Sequence, residues 1–382
     1  MRIVLGNASI ASYPEGGGHW SWFLQHPLGL RSLGHDVFWL ELLRSTGDRD
    51  RDLALVHNFF ERIGRYGLAD DCALMLAGDL EVQDIARAEL FGRNLVQVRD
   101  LIASADLLWN LSCAIREPLL SRFHRTVLLD VDPGHLQVSA LQWNLGIERH
   151  DVLLTVGTKI NDADCGIPRL GLTWHTYLPF VYLPMWECAA DPGPAAPFTS
   201  ITQWTWEELH HQGRVLSVSK RAAYLPYANL PHMAGRLLQL AVNLGVEDPA
   251  RDRERLMAGG WKLADPHAVV STPEAYRDYI RRSRGEILCP KPIYRELRTG
   301  WFSDRSVCYL ASGRPVVAEE TGFSERIPTG RGLLAFKDPA GAAESIRAID
   351  ADYAAHSRAA RETACEMFDA RRCLAAMIEA CG

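Results

Sequence analysis

The run Gly300-Trp301-Phe302-Ser303-Asp304-Arg305-Ser306-Val307-Cys308-Tyr309-Leu310-Ala311-Ser312-Gly313-Arg314-Pro315-Val316-Val317 leaves the chain little choice of structure. Ser303 can cap a helix by accepting from an amide of its first turn, and Gly313 can end that helix in the left-handed conformation. Pro315-Val316-Val317-Ala318 is too short and too apolar for anything but a buried strand. A polar turn, Glu319-Glu320-Thr321-Gly322-Phe323-Ser324, then leads into a second apolar run ending at Phe336. Helix, strand, polar glycine turn and strand make up half of an α/β domain, a class in which ligands gather at the carboxyl ends of the strands.

The same alternation begins at the N-terminus. Ile3-Val4-Leu5 reads as a strand, Trp20 to Leu33 as an amphipathic helix stopped by Gly34, and Asp36 to Leu40 as the next strand. Leu80 to Ala103 is expected to be helical, and Leu107–Asn110, Val127–Asp130 and Val152–Thr155 to be short buried strands. Proline then interrupts the pattern at 179, 184, 192, 194 and 197, in an aromatic-rich stretch that suits a linker. A second α/β run follows, with strands near Phe198, Val215 and Glu286. The expected division is a first domain over 1–175, a linker over 176–197, a second domain over 198–360 and a C-terminal helix over 361–382.

Composition narrows the function. The formal net charge is −6 in a chain that is 47% hydrophobic, which argues against a nucleic-acid partner held by phosphate neutralisation. Nine cysteines with no Cys-x-x-Cys pair read as reduced thiols, not a disulfide frame or a zinc site. The apolar run at the N-terminus is too short for a secretory segment, and no window reaches the roughly 18 apolar residues of a membrane span. A cytoplasmic protein without an integral membrane segment is expected, as a monomer or weak homodimer.

Several segments together, in order along nearly the whole chain, resemble bacterial nucleotide-sugar-dependent glycosyltransferases of the GT-B type. They are Gly16-Gly17-Gly18-His19-Trp20-Ser21-Trp22, Leu129-Asp130-Val131-Asp132-Pro133-Gly134-His135, Gly171-Leu172-Thr173-Trp174-His175, the block from Gly300 to Phe336, and the ending from Asp352 to Arg361. The resemblance implies two Rossmann-like domains facing across a cleft, an acceptor on the first, a nucleotide diphosphate sugar on the second, and a last helix crossing back to the first domain. It also implies a hexosyltransferase that needs no metal and no cofactor beyond the sugar nucleotide as co-substrate. The acceptor class is a small molecule or a glycan, in natural-product or cell-envelope biosynthesis. The Glu-x7-Glu signature of retaining members is not present in clean form, because Glu319 and Glu320 precede the glycine turn and Glu325 follows at another spacing. The stereochemical outcome stays open.

Candidate residues follow from position. Gly16, Gly17 and Gly18 let the backbone come close to a ligand at a helix start, and His19 there, with an ordinary pKa near 6.5, could take an acceptor proton. Asp130 and Asp132, just past a buried strand beside His135, are the rival bases, though a turn fixed by Asp132 and Pro133 is the plainer explanation. The Asp-x-Asp spacing is a cation motif of GT-A enzymes, and the resemblance to GT-B argues against a metal here. Glu41 stands where a dinucleotide-binding fold keeps its ribose acid, but the Gly-x-Gly-x-x-Gly spacing is absent.

On the second domain, Lys220 and Arg305 are the cations expected to stabilise the departing diphosphate, with Ser303 and Asp304 beside Arg305. Backbone amides of the turn Glu320-Thr321-Gly322-Phe323-Ser324 suit a diphosphate, and Cys289 to Lys291 is placed to cover the base. Most of the eleven tryptophans are expected in the core, with Trp20 and Trp204 the two offered to an apolar acceptor. A GT-B-shaped sugar-nucleotide epimerase, or a degenerate binding or activator protein, would share this donor pocket.

Overall fold

The computed structural model describes residues 1–206, 208–245 and 248–382. Its first domain is built on an eight-stranded sheet of β1 (Arg2–Asn7), β2 (Asp36–Arg44), β3 (Cys72–Ala77), β4 (Glu89–Phe91), β5 (Leu107–Leu111), β6 (Thr126–Asp130), β7 (Val152–Thr155) and β8 (His175–Thr176). The order is β4-β3-β2-β1-β5-β6-β7-β8, with only β4 antiparallel to its neighbour. The second domain carries β9 (Phe198–Gln203), a separate hairpin of β10 (Glu208–His211) and β11 (Arg214–Ser217), then β12 (Leu238–Asn243), β13 (Lys262–Ala264), β14 (Gly285–Leu288), β15 (Val316–Glu319) and β16 (Leu333–Phe336). Its main sheet is all parallel in the order β13-β12-β9-β14-β15-β16.

Both sheets are doubly wound. Their strands read as near-continuous apolar runs because helices cover both faces, and Val127, Leu128, Leu129, Val316, Val317 and Ala318 are all fully buried. Strand order reverses between β1 and β5 in one sheet and between β9 and β14 in the other. Crevices open at those switch points.

The segment from Gly300 to Phe336 folds as its residues dictate. Ser303 Oγ accepts from the Arg305 amide at 3.2 Å, the helix runs Asp304–Ala311, and Gly313 takes φ +69° after it. The tail divides more finely than expected. Helix Tyr353–Met367 stays on the second domain, with Ala360 against Gly332. The chain crosses at Phe368 and Asp369, where Val181 of the linker donates to the Phe368 carbonyl and receives the Ala370 amide. Helix Ala370–Ala380 then seats Leu374 against Gly29 of helix Gly17–Ser32.

Two expectations change. The helix expected over Leu80–Ala103 is confined to Leu95–Ser104, started by an Asn94–Gln97 capping box. Gly92 at φ +78° and β4 occupy the segment before it. The strand at Val215–Leu216 belongs to the hairpin and not to the main sheet. Among the described residues, no helix is long and apolar enough to cross a membrane.

Candidate functional site

Cations collect at the second domain's switch point. Lys220 opens helix Lys220–Tyr224, is buried, and donates from Nζ to the Cys289 carbonyl, past the end of β14, at 2.7 Å. Its Nζ stands 5.9 Å from the Trp301 ring centre. Among the described residues it has no carboxylate partner. Burial, then the neighbouring Arg305 and Lys291 charges, push its pKa down to about 7. Arg305 reaches Glu286 Oε1 and the Ile201 carbonyl, each at 2.6 Å. Burial opposes its charge, but Glu286 together with Tyr224 and Tyr276 outweighs that and holds the guanidinium's pKa above its ordinary value. Glu286, fully buried on β14, also accepts from Ser306 Oγ.

Lys291 ties the domains together. Its Nζ pairs with Asp132 of the first domain, whose other oxygen accepts from Tyr294 Oη, and His135 Nδ1 lies 3.0 Å from Asp132 Oδ2. Burial opposes the Asp132 charge, yet Lys291 and His135 hold its carboxyl well below the usual range. Lys291 Nζ also sits 5.1 Å from the ring of Trp206. Asp130, by contrast, is buried and fully engaged by protein: it accepts from the Asp132 amide at 2.9 Å and from Gln137 Nε2 and Thr155 Oγ1 at 2.7 Å each. Burial raises its pKa to about 6. Asp130 shapes the loop that presents Asp132.

The glycine loop is closed by protein. A Cβ on Gly16 would strike the Tyr13 ring, one on Gly17 the carbonyls of Val270 and Thr272, and one on Gly18 the Tyr276 ring at 2.8 Å. The close approach that needs glycine at 17 and 18 is therefore between the two domains. His19 Nε2 lies 2.8 Å from Ser9 Oγ, and burial pushes its pKa down to about 4. It stays neutral near pH 7, where the sequence alone had suggested an ionisation. Glu41 receives the amides of Ile10 and Ala11 at 2.8 Å each and the Trp39 indole at 2.9 Å. It anchors the loop after β1, which accounts for an acid at that position without a ribose.

The turn after β15 is likewise occupied. Glu320 Oε1 accepts from the Gly322 amide at 2.6 Å and the Ser324 amide at 3.4 Å, so a carboxylate sits where an anion was expected. Thr321 Oγ1 donates to the Trp301 carbonyl at 2.6 Å, and Phe323 is buried 5.2 Å from the Phe302 ring. Gly322, at φ +99°, is overlaid by the Lys159 side chain of the first domain. Lys159 is buried, pairs with Asp164 at 2.9 Å and with Glu325, and went unnoticed in the sequence. It lies just past a strand's carboxyl end, as Lys220 lies just past β11, and that was the signal available.

Between these groups lies a narrow slot of about 20 Å³, room for about one water molecule. Trp22, Tyr177, Phe180, Trp301 and Phe302 give it aromatic walls, with His26 and Asp304 among them. Burial pushes His26 down to about 4, while burial raises the Asp304 carboxyl and Arg305 beside it pulls the other way. Trp20 and Trp204, the tryptophans offered to an acceptor, are both 0% exposed and belong to the core. Their partners two residues on are the available ones: Trp22 lines the slot and Trp206 is 49% exposed. Among the described residues no three His, Cys, Asp or Glu side chains gather as a metal site.

The paired doubly wound domains and the returning helix make this chain a GT-B fold. No protein-family model and no curated protein sequence matches it. Solved structures do. An alpha-glucosyltransferase in complex with UDP and a 13-mer DNA matches with TM-score 0.58 at 12% identity, over 100% of this chain and 99% of that one. Anabaena Alr3699/HepE in complex with UDP and glucose matches with TM-score 0.56 at 12% identity, over 99% of each chain. AviGT4, a glycosyltransferase involved in avilamycin A biosynthesis, matches with TM-score 0.56 at 13% identity, over 100% of this chain and 97% of that one.

The DNA in the first of these overturns one expectation. An overall charge of −6 argues against a nucleic-acid partner held by phosphate neutralisation, yet a protein of this fold is seen with DNA bound. Net charge averages over the whole surface and says nothing of a local groove.

Proposed function

We propose that this chain is a glycosyltransferase that moves a sugar from a nucleoside diphosphate, UDP by preference, to a hydroxyl or amine of an acceptor. The observation that carries the proposal is the unbalanced charge at the second domain's switch point. Arg305 is answered by Glu286 and Lys291 by Asp132, but Lys220 meets only a carbonyl. A buried ammonium without a counter-ion is costly, and an incoming diphosphate would relieve that cost. Bound UDP in two proteins of the same fold supports the choice of ligand.

Lys220, with Arg305 and Lys291 behind it, would then face the diphosphate oxygens. Charge grows there as the bond from the anomeric carbon to phosphate oxygen breaks, and fixed cations in a water-poor site stabilise that change most. The acceptor heteroatom forms the new bond to the anomeric carbon, and its proton passes to the departing diphosphate, which leaves with the bonding electron pair.

Calorimetry with UDP-glucose tests the donor site. Binding at pH 8 should take up a proton, because a bound anion returns Lys220 to its charged form from a pKa of about 7. Affinity should fall as pH rises from 6 to 9. No binding by UDP-glucose or the other common nucleotide sugars would defeat the proposal.

A further inference from the structure

Of the eleven tryptophans, only Trp143 and Trp206 are exposed, at 52% and 49%. They come from different domains and stand on one rim, where the domains meet. Trp143 follows helix His135–Ala140 of the first domain, and Gln142 beside it donates from Nε2 to the His210 carbonyl of β10 at 2.9 Å. At the other end of that helix, His135 lies against Asp132, whose partner Lys291 sits 5.1 Å from the Trp206 ring. Helical rise makes the rim between these two contacts about 9 Å long.

Single apolar side chains on a surface are ordinary. These are not single: Leu141 and Val215 are exposed on the same two segments, and Val215 stands opposite His210 in the hairpin. Nor does the fold need them. Leu209 and Leu216, paired across the hairpin on its other face, are buried and anchor it to the core, and Gln142 meets the free edge of β10. The rim is also continuous with the candidate site. It borders the Asp132–Lys291 pair at the domain junction, and the hairpin leads directly into the helix that Lys220 opens. A second copy of the chain or a lipid surface has no need of that continuity; a molecule whose reactive end enters the cleft does. Indole, isobutyl and isopropyl groups offer area and stacking but few hydrogen bonds, which suits rings and alkyl chains better than a polyhydroxylated sugar.

We propose that this rim binds the apolar part of the acceptor, a planar or aliphatic group whose nucleophile reaches inward past Trp206 toward the domain junction. The assignment to the acceptor rests on the transferase reading. The affinity of the rim for an apolar molecule does not.

2-Naphthol and methyl α-glucoside both carry hydroxyl groups and differ in the surface beside them. Calorimetry on the full-length protein should show saturable binding of 2-naphthol and at least about tenfold weaker binding of the glucoside. Trp143→Ser alters an exposed side chain and should fold as the parent does. It should weaken 2-naphthol about fivefold, the effect of losing one aromatic anchor, and leave UDP affinity within about twofold. Trp206→Ser should weaken 2-naphthol by at least as much. Equal affinity for the two probes, 2-naphthol binding untouched by both substitutions, or UDP affinity lost along with it in Trp143→Ser overturns the proposal. Sedimentation supplies two further ways to overturn it. A dimer that Trp143→Ser separates would make the rim a subunit face, and binding to phosphatidylcholine vesicles that the same substitution abolishes would make it a lipid contact. UDP titrated into the same samples separates the two readings. Binding of 2-naphthol without UDP would defeat the transferase reading alone, and binding of UDP without 2-naphthol would defeat this one.

Discussion

The two domains share a strand order and treat charge at their switch points in opposite ways. In the first domain the acids are answered by protein. Glu41 holds the loop after β1 through two amides and an indole, and Asp130 holds the loop after β6 through an amide, Gln137 and Thr155. In the second domain Lys220 is left with a single carbonyl, and Asp304 with its own helix amides. A repeated fold thus supplies two crevices, and the side chains at the strand ends decide which one is structural and which waits for a ligand. Buried charges that already have partners shape loops. Those without partners are the candidates for chemistry.

Lys220→Met tests that contrast with the largest expected effect. Transfer from UDP-glucose should slow by roughly 10²–10³-fold, the range for removing one fixed group that stabilises developing charge. Stability should move the other way. With a folded pKa of about 7, below its ordinary 10.5, Lys220 lets the unfolded chain bind more protons between those values, so its contribution to stability improves as pH rises through that window. The methionine variant should therefore be more stable than the parent at pH 7 in urea titrations, with part of the pH slope gone. A variant both inactive and less stable would mean that Lys220 is a structural residue.

Asp132→Asn comes next, because Asp132 is the acid of the first domain that reaches into the second. Losing the charge leaves Lys291 and Tyr294 poorly matched, at a cost of about 1–3 kcal/mol. Urea unfolding measures it. UDP affinity should rise slightly, since Lys291 is then freer to face phosphate. A fall in UDP affinity would show that the domain contact itself builds the donor site.

Much of this was legible in the residues, and the misses have physical causes. The Ser303–Gly313 helix and the strand after it follow from capping and apolar runs, which are local. The tryptophan pairs show the limit. Trp20 and Trp22, two positions apart on a helix, point to opposite sides, so one enters the core and the other the slot. Sequence proximity to the glycines could not choose between them. The glycines themselves were read as room for a ligand, when Gly17 and Gly18 make room for Val270, Thr272 and Tyr276 of the other domain. Contacts across domains have no signature in a local window. Lys159, whose side chain overlies Gly322 of the second domain, belongs to the same class, whereas the Glu320 carboxylate bonds only amides of its own turn. The charge ledger that singles out Lys220 needs every partner located, which no spacing rule provides.

Glu41→Gln offers a smaller effect, confined to pH. Burial raises the Glu41 pKa to about 7 from an ordinary 4.5, and the bonds from Ala11, Trp39 and Ile10 only partly reverse the rise. The folded chain therefore binds a proton more tightly than the unfolded one between those values. From this group, stability is gained as pH falls from 7 toward 4.5 and lost as it rises. The glutamine keeps an acceptor for the loop amides and should flatten that slope, read as urea midpoints at pH 5 and 7.5. Unaltered slopes would place the ionisation on another group.

The smallest effect is expected at His19, and the near-null result is the informative one. From the sequence alone, a histidine at a helix start after three glycines should titrate near neutrality and shape the pH–rate profile there. In the folded chain its pKa is about 4, because burial disfavours the imidazolium, and its Nε2 is matched to Ser9. A group with that pKa changes charge below the pH range in which transfer would be assayed. His19→Gln preserves polarity and should leave the rate within about threefold from pH 6 to 8, with any limb in that range intact. Suppose instead that the substitution removes a limb near pH 6.5 and costs the 10²–10⁴-fold typical of a lost general base. His19 would then have to be solvated and charged in the working enzyme, and the domains would have to part at Gly17 and Gly18 to admit the acceptor. The first domain's crevice would hold a reactive group after all, and the division between a structural and a ligand-seeking switch point would fail there.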